Sequence, residues 1–323
     1  RHTRLRTVTG VQTCALPIFT GAGAASRKAV ISLPDADGKP ELFEIVEASN
    51  FHPDLQARFP QIRSYSGKSL SNPGSTMKIS LSPAGIQTMV FRTGNATEYM
   101  EPYSQDGKTY AVFRRQRPAG QAPWVCSSPD QAIANGLQNR VGTMAVTVGA
   151  GNSLRTMRLA QSCNAEYSNY FGATSSADVA KVLAAFNATL TRCNGVYEKD
   201  LALHLNLIPN TDLVIYYNAS TDPYTTMSSW NNQLQSTLNT TIGAANYDIG
   251  HMFGASGGGG NAGCIGCVCV DGSKGSGITS PADGKPLGDN FDIDYVVHEV
   301  GHQLGANHTF SMSNEGTGVN KEV

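Results

Sequence analysis

His298, Glu299, His302 and His308 lie within eleven residues, in the run HEVGHQLGANH, and their types and spacing suit metal-assisted hydrolysis. Side chains four apart on a helix stack on one face, so His298 and His302 are placed to share one ion. Gly305 follows His302 by three, where a helix commonly ends in a left-handed residue that costs glycine nothing, so the chain can turn and return His308 to the same point. Three neutral imidazoles leave one position of a tetrahedral Zn2+ open, the arrangement of catalytic rather than structural zinc. The ion would acidify a water, Glu299 would take its proton, and attack on a carbonyl polarised by the metal would hydrolyse a peptide bond. Ordinary surface or core histidines are the plainer reading. Five specified positions at fixed offsets, however, arise by chance in roughly one chain of this length in 10⁵.

These residues need a helix, which begins near Asp292, and a scaffold beneath it. From Leu154 the chain alternates strand and helix signals. TMRLAQSC alternates as a strand, and Val179, Val182, Leu183, Phe186, Leu190, Cys193 and Tyr197 recur at helical spacing after a Ser175/Asp178 capping signal. LALHLNLI and DLVIYYN read as strands, and SSWNNQLQSTLNTTIG reads as a second helix. Alternating strands and helices predict an α/β layer architecture for residues 154–323. Residues 19–118 instead read as short strands (KAVISL, ELFEIVEA, MKISLS, IQTMVFRT, TEYMEPY, TYAVFRR) broken by turn formers, a small β-rich domain. Residues 119–153, rich in Pro, Gly and Gln, read as a linker.

HEVGHQLGANH matches the extended zinc motif HExxHxxGxxH of the metzincin metallopeptidases. With ANYDIGHMFGASGGGGNAGCIGCVCV and FDIDYVVHEVGHQLGANHTF around it, residues 154–323 resemble the bacterial reprolysin-like, adamalysin-related branch of that clan. The resemblance implies a mixed five-stranded sheet over an active-site helix, His298, His302 and His308 as zinc ligands, and Glu299 as general base. It implies an edge strand through Ala262, Gly263, Cys264, Ile265 and Gly266 along which an extended protein or peptide substrate pairs. A plain edge strand with no ligand is the alternative for that segment. Residues 19–118 resemble propeptide-like domains, which implies a secreted zymogen, and Cys126 is a candidate cysteine switch whose thiolate would fill the open zinc position. An unremarkable linker thiol or disulfide partner is the alternative for Cys126. Adamalysins place Asp after the third histidine where this chain has Thr309, and no methionine turn follows His308, so the catalytic domain reads as truncated. A non-catalytic surface binding or adhesion protein on a metzincin scaffold is the alternative function, against which the intact Glu299 argues.

Across 323 residues the formal net charge is -1, and no basic surplus points to nucleic acid. No apolar run approaches the ~18 residues of a transmembrane helix. Residues 1–18 resemble the in-frame translation of a sequencing-library adapter. Setting aside Arg1, Arg4 and Arg6 lowers the 24 basic residues to 21 against 25 acidic ones, a net charge of about −4, and Cys14 leaves the cysteine count with them. Among the six cysteines left, a Cys163–Cys193 disulfide competes with two buried free thiols. Strand alternation puts Cys264 opposite Cys267 and Cys269, which argues against a second metal site. His204 reads as a solvated strand residue, and His251 and Asp248 as neighbours of the cleft without a catalytic part. The glycine run 257–260 reads as a rim loop, since it lacks the ending of a phosphate loop.

Overall fold

The computed structural model describes residues 6–9, 28–104, 107–115, 126–129 and 153–308. In chain order the N-terminal elements are β1 (Arg6–Thr9), β2 (Lys28–Pro34), β3 (Pro40–Glu47), α1 (Pro53–Arg58), β4 (Arg63–Ser69), β5 (Thr76–Ser82), β6 (Gly85–Phe91), β7 (Glu98–Pro102) and β8 (Thr109–Arg114). They form one eight-stranded antiparallel meander in the order β1-β8-β7-β6-β5-β4-β3-β2. Short polar turns permit it: in the β2–β3 turn the Asp35 carboxylate accepts from the backbone N–H of Asp37 and Lys39 at 2.9 and 2.8 Å. Phe43, Ile45, Tyr65, Met77, Ile79 and Val112 close the core of this sheet. Strand β1 pairs with β8 and covers that edge of the meander. Strand β4, RSYSGKS, has little apolar alternation and is not legible as a strand; its place in mid-sheet buries it nonetheless.

The second half contains β9 (Arg155–Cys163), α2 (Ala165–Tyr170), α3 (Val179–Leu201), β10 (Leu203–Leu207), α4 (Met227–Thr241), β11 (Ile249–Phe253), β12 (Gly259–Asn261), β13 (Gly277–Ser280), a π-helical stretch over Asn290–Val296, and α5 (Val297–Gln303). Its five strands run in the order β10-β9-β11-β13-β12, with β12 alone antiparallel. Helix α3 buries the expected stripe, Val182, Leu183, Phe186, Leu190, Cys193 and Tyr197, on one face of this sheet; Trp230, Leu234 and Leu238 of α4 bury on the other. The opposite side of α3 meets the meander at Gly195, where a Cβ would stand 3.1 Å from both Lys78 Cγ and the Phe91 ring.

The two halves share a core. Phe51, Leu55 and Ile62, from the N-terminal half, are buried in the same apolar cluster as Phe186, Leu205, Phe253 and Val300. Phe51 bridges Leu207 in parallel, with Leu207 N–H donating to Asn50 O at 2.7 Å and His52 N–H to Leu207 O at 2.9 Å, so the N-terminal half extends the five-stranded sheet at its β10 edge. The Asn50 amide donates to Asn187 Oδ1 at 3.0 Å and to Thr191 Oγ1 at 2.8 Å, and it accepts from Asn194 at 2.9 Å. Arg192 is fully buried in α3, ion-paired with Asp292 at 3.0 Å and with Glu101 of β7 at 2.8 Å.

Three expectations from sequence are corrected, and one open alternative is decided. DLVIYYN is not a strand: Thr211–Val214 is a 3-10 turn, because the Thr211 hydroxyl is tied to the Gln161 backbone and Arg58 pairs with Asp212 at 2.7 Å, leaving Ile215 a single bridge to Cys163. Cys163 and Cys193 are separate buried thiols, one against Ser168 Oγ and the other against Asp292 O. His204 is buried rather than solvated, held between Glu198 at 2.8 Å and Ser49 O at 3.2 Å, since the N-terminal half covers that strand. Gly259 and Gly260 are not a loop but most of β12.

Candidate metal centre

Helix α5 carries His298 and His302 one turn apart, and Gly305, at φ +114°, reverses the chain after it. The reversal brings His308 back: His302 Nε2 lies 2.9 Å from His298 Nε2 and 3.2 Å from His308 Nε2. Cys126 joins them, its Sγ 3.6 Å from His302 Nε2, and one ligand atom from each of these four residues lies within 4.8 Å of the others. Burial and the neighbouring imidazoles lower the His298 pKa to about 4, which keeps it in the neutral form that binds a metal.

The donor set fits a zinc ion. His302 Nδ1 faces Ala306 O at 2.6 Å, where only an N–H is accommodated, so Nε2 presents its lone pair to the cluster. Three imidazole nitrogens and one sulfur, which would bind as thiolate, make up a tetrahedral set.

Glu299 is fully buried beside the cluster, where it accepts a hydrogen bond from the Ser128 hydroxyl at 3.0 Å. Burial pushes its pKa up to about 7, against the Cys126 and Ser128 contacts that favour the charged form. Strand β12 passes directly over this carboxylate: at Gly260 a Cβ would overlap it, so only glycine fits. Burial, and then the Glu299 charge, push the Cys126 thiol up to about 12.

Two features hold the helix against the sheet. Gln303 donates to Gly250 O at 2.9 Å and contacts His251 Nδ1 at 2.7 Å, while His251 Nε2 contacts Thr279 Oγ1 at 2.8 Å. The carbonyl of His302 accepts from Gly266 N–H at 3.0 Å, so the loop after β12 buttresses the end of α5. Burial lowers the His251 pKa to about 4, so it acts here as a neutral hydrogen-bonding group.

The chain matches the family model "Metallo-peptidase family M12B Reprolysin-like" over residues 153–323. It belongs to the M12B reprolysin-like metallopeptidases. No curated protein matches it. Zinc dependence and a protein or peptide substrate follow from the family, and no helix among the described residues is long and apolar enough to cross a membrane.

In this reprolysin-like chain the structure brings His298, Glu299, His302, His308 and Cys126 together. It does not extend an edge strand through Ala262–Gly266. Strand β12 ends at Asn261, and the chain turns away through Gly263 and Gly266, both at positive φ, with a Cys264–Cys267 disulfide closing the turn. That disulfide also corrects the placing of Cys264 opposite Cys267: in a turn, unlike a strand, residues three apart can meet. Asp248 is engaged with Arg158 at 2.7 Å. The sequence reading missed Ser128, Gln303 and the Arg192–Asp292 pair. Spacing gives no signal for Ser128, while Gln303 lies inside the zinc motif and is legible as an anchor only once Gly277 is known to leave room for it.

Proposed function

We propose that the protein is a secreted zinc endopeptidase held in a latent form, with His298, His302 and His308 as zinc ligands, Glu299 as general base and Cys126 as the cysteine switch. The observation that carries this reading is the convergence of three imidazole Nε2 atoms beside one buried carboxylate. Zinc, when bound, supplies Lewis-acid polarisation of the scissile carbonyl and makes water more acidic. Glu299 receives the proton of the attacking water and delivers it to the departing amine, a role suited by a carboxyl group whose pKa lies near neutrality. The His302 Nδ1–H bond to Ala306 O fixes that ring's tautomer and direction. The backbone of β12 and Ala262 is the rim on which an extended substrate pairs; Gly260 O and Ala262 N–H, now engaged by Ser127 and Ser128, are the groups it would use. Residues 19–118 act as the propeptide-like region, and the Cys264–Cys267 disulfide suits an oxidising, extracytoplasmic compartment.

Glu299→Gln tests the assignment. In protein freed of the Cys126 segment by limited proteolysis, hydrolysis of a fluorogenic protein substrate should fall by about 10²-fold or more while zinc stoichiometry is retained; equal turnover by the activated variant and the activated wild type would sink the general-base role.

A further inference from the structure

The latent arrangement assigned above rests on the Cys126 thiol, yet most of the contacts of that segment are made by the two residues after it. Ser127 N–H and Ser127 Oγ–H both donate to Gly260 O, at 3.0 and 2.9 Å. The Asn261 side chain donates back to Ser127 O at 3.1 Å and to Ser127 Oγ at 3.0 Å. Ser128 Oγ lies between two groups of the catalytic half, accepting from Ala262 N–H at 2.7 Å and donating to Glu299 Oε2 at 3.0 Å. The segment runs parallel to β12, bridging at Cys126 and Gly260, so it uses the same backbone rim a substrate would need. Ser128 is itself buried, at 6 % exposure, so its hydroxyl bonds are shielded from water.

None of these six hydrogen bonds involves the thiol or the metal ligands; the link between the serines and the thiol is a separate one, Ser128 N–H donating to Cys126 Sγ at 3.4 Å. We propose that Ser127 and Ser128 form a second latch, independent of Cys126 and of zinc, in which the Ser128 hydroxyl occupies the general base while the Ser127 backbone and side chain occupy the substrate edge. A thiol latch alone would open when the sulfur leaves the metal. With the serine latch in place, removing the sulfur leaves the rim covered and Glu299 hydrogen-bonded. Opening the site then requires the strap itself to peel from β12, which makes proteolysis of the strap or its displacement by a competing strand the effective trigger.

This inference rests on the proposed reading of the site, but its test does not need turnover. Amide hydrogen exchange at Ser127 and Ala262 would be followed in the full chain, zinc-loaded and in EDTA, for wild type, Cys126→Ala, Ser127→Ala/Ser128→Ala and the triple variant. The expected result is protection that changes by less than about two-fold in Cys126→Ala and in EDTA, and that falls by about ten-fold or more when both serines are replaced, as the loss of net hydrogen bonds implies. Protection at the amides of β11 serves as the control for intact folding. Loss of protection in Cys126→Ala alone, or unchanged protection in the double-serine variant, would overturn the second latch. Zinc binding or Glu299→Gln results that contradict the peptidase reading would leave this exchange pattern unaffected, so the two failures are distinguishable.

Discussion

The N-terminal half covers the five-stranded sheet at both of its edges, and it does so in two different ways. At β10 the covering segment is Asn50–His52, continuous with Leu55 and Ile62 in the shared apolar core and with a buried amide and hydroxyl cluster on α3. At β12 the covering segment is Cys126–Ser128, which brings one buried hydroxyl, one half-buried thiol and no apolar side chain to the core. Burying apolar area stabilises in proportion to that area, whereas a hydrogen bond that exchanges with water contributes a small net amount. The β10 attachment is therefore part of what makes the chain fold, and the β12 attachment is a cover that can lift. On the proposed latent reading, the first is the fixed base and the second the strap that opens.

Leu55→Ala tests the strong side with the largest effect. Leu55 is fully buried in the shared core, so its loss should cost about 2 to 5 kcal/mol and shift the unfolding of the catalytic half together with that of the meander. Two separate transitions in calorimetry, with only one displaced, would break the idea of a common core.

Acid should act where α5 seats on the sheet. His251 has a folded pKa of about 4 against an ordinary value of 6.5, so its contribution is fully present above pH 6.5 and is lost as the pH falls toward 4. Between these limits the stability advantage of wild type over His251→Gln should shrink by an amount on the order of 3 kcal/mol. Asp292, raised to about 6 by burial, works in the opposite direction over part of the same range, so the comparison with the variant is what isolates His251. A difference that does not change with pH, measured by denaturant titration, would contradict the neutral seat. The cluster of Asn50, Asn187, Thr191 and Asn194 contains no titrating side chain. Asn50→Ala should destabilise by about 1 to 3 kcal/mol at any pH in this range, because it strands buried amide groups. The smallest effect belongs to Arg58→Ala: its pair with Asp212 also spans the two halves, but Arg58 is 46 % exposed, and the change should stay within about 1 kcal/mol in thermal unfolding.

The histidine cluster was legible in sequence because its geometry is local. His298, His302, Gly305 and His308 lie on one helix and the turn that ends it, so 3.6-residue periodicity and one glycine specify how they converge. The α3 stripe and strands β2, β3 and β5–β8 of the meander were legible for the same reason. The groups that act on the centre from elsewhere in the chain were not. Ser128 reaches Glu299 across 171 positions, and β12 forms from a glycine run with no strand propensity because Gly260 must pass over a carboxylate. Strand β4 and the burial of His204 depend on neighbours that only the folded chain supplies.

X-ray absorption at the zinc edge of the full chain tests the central claim most directly, because it identifies the ligating atoms. The account predicts one zinc per chain with three nitrogen scatterers and one sulfur, the sulfur signal disappearing in Cys126→Ala while the nitrogens remain. A zinc with only nitrogen and oxygen neighbours in the wild-type chain, or no bound zinc, would contradict it.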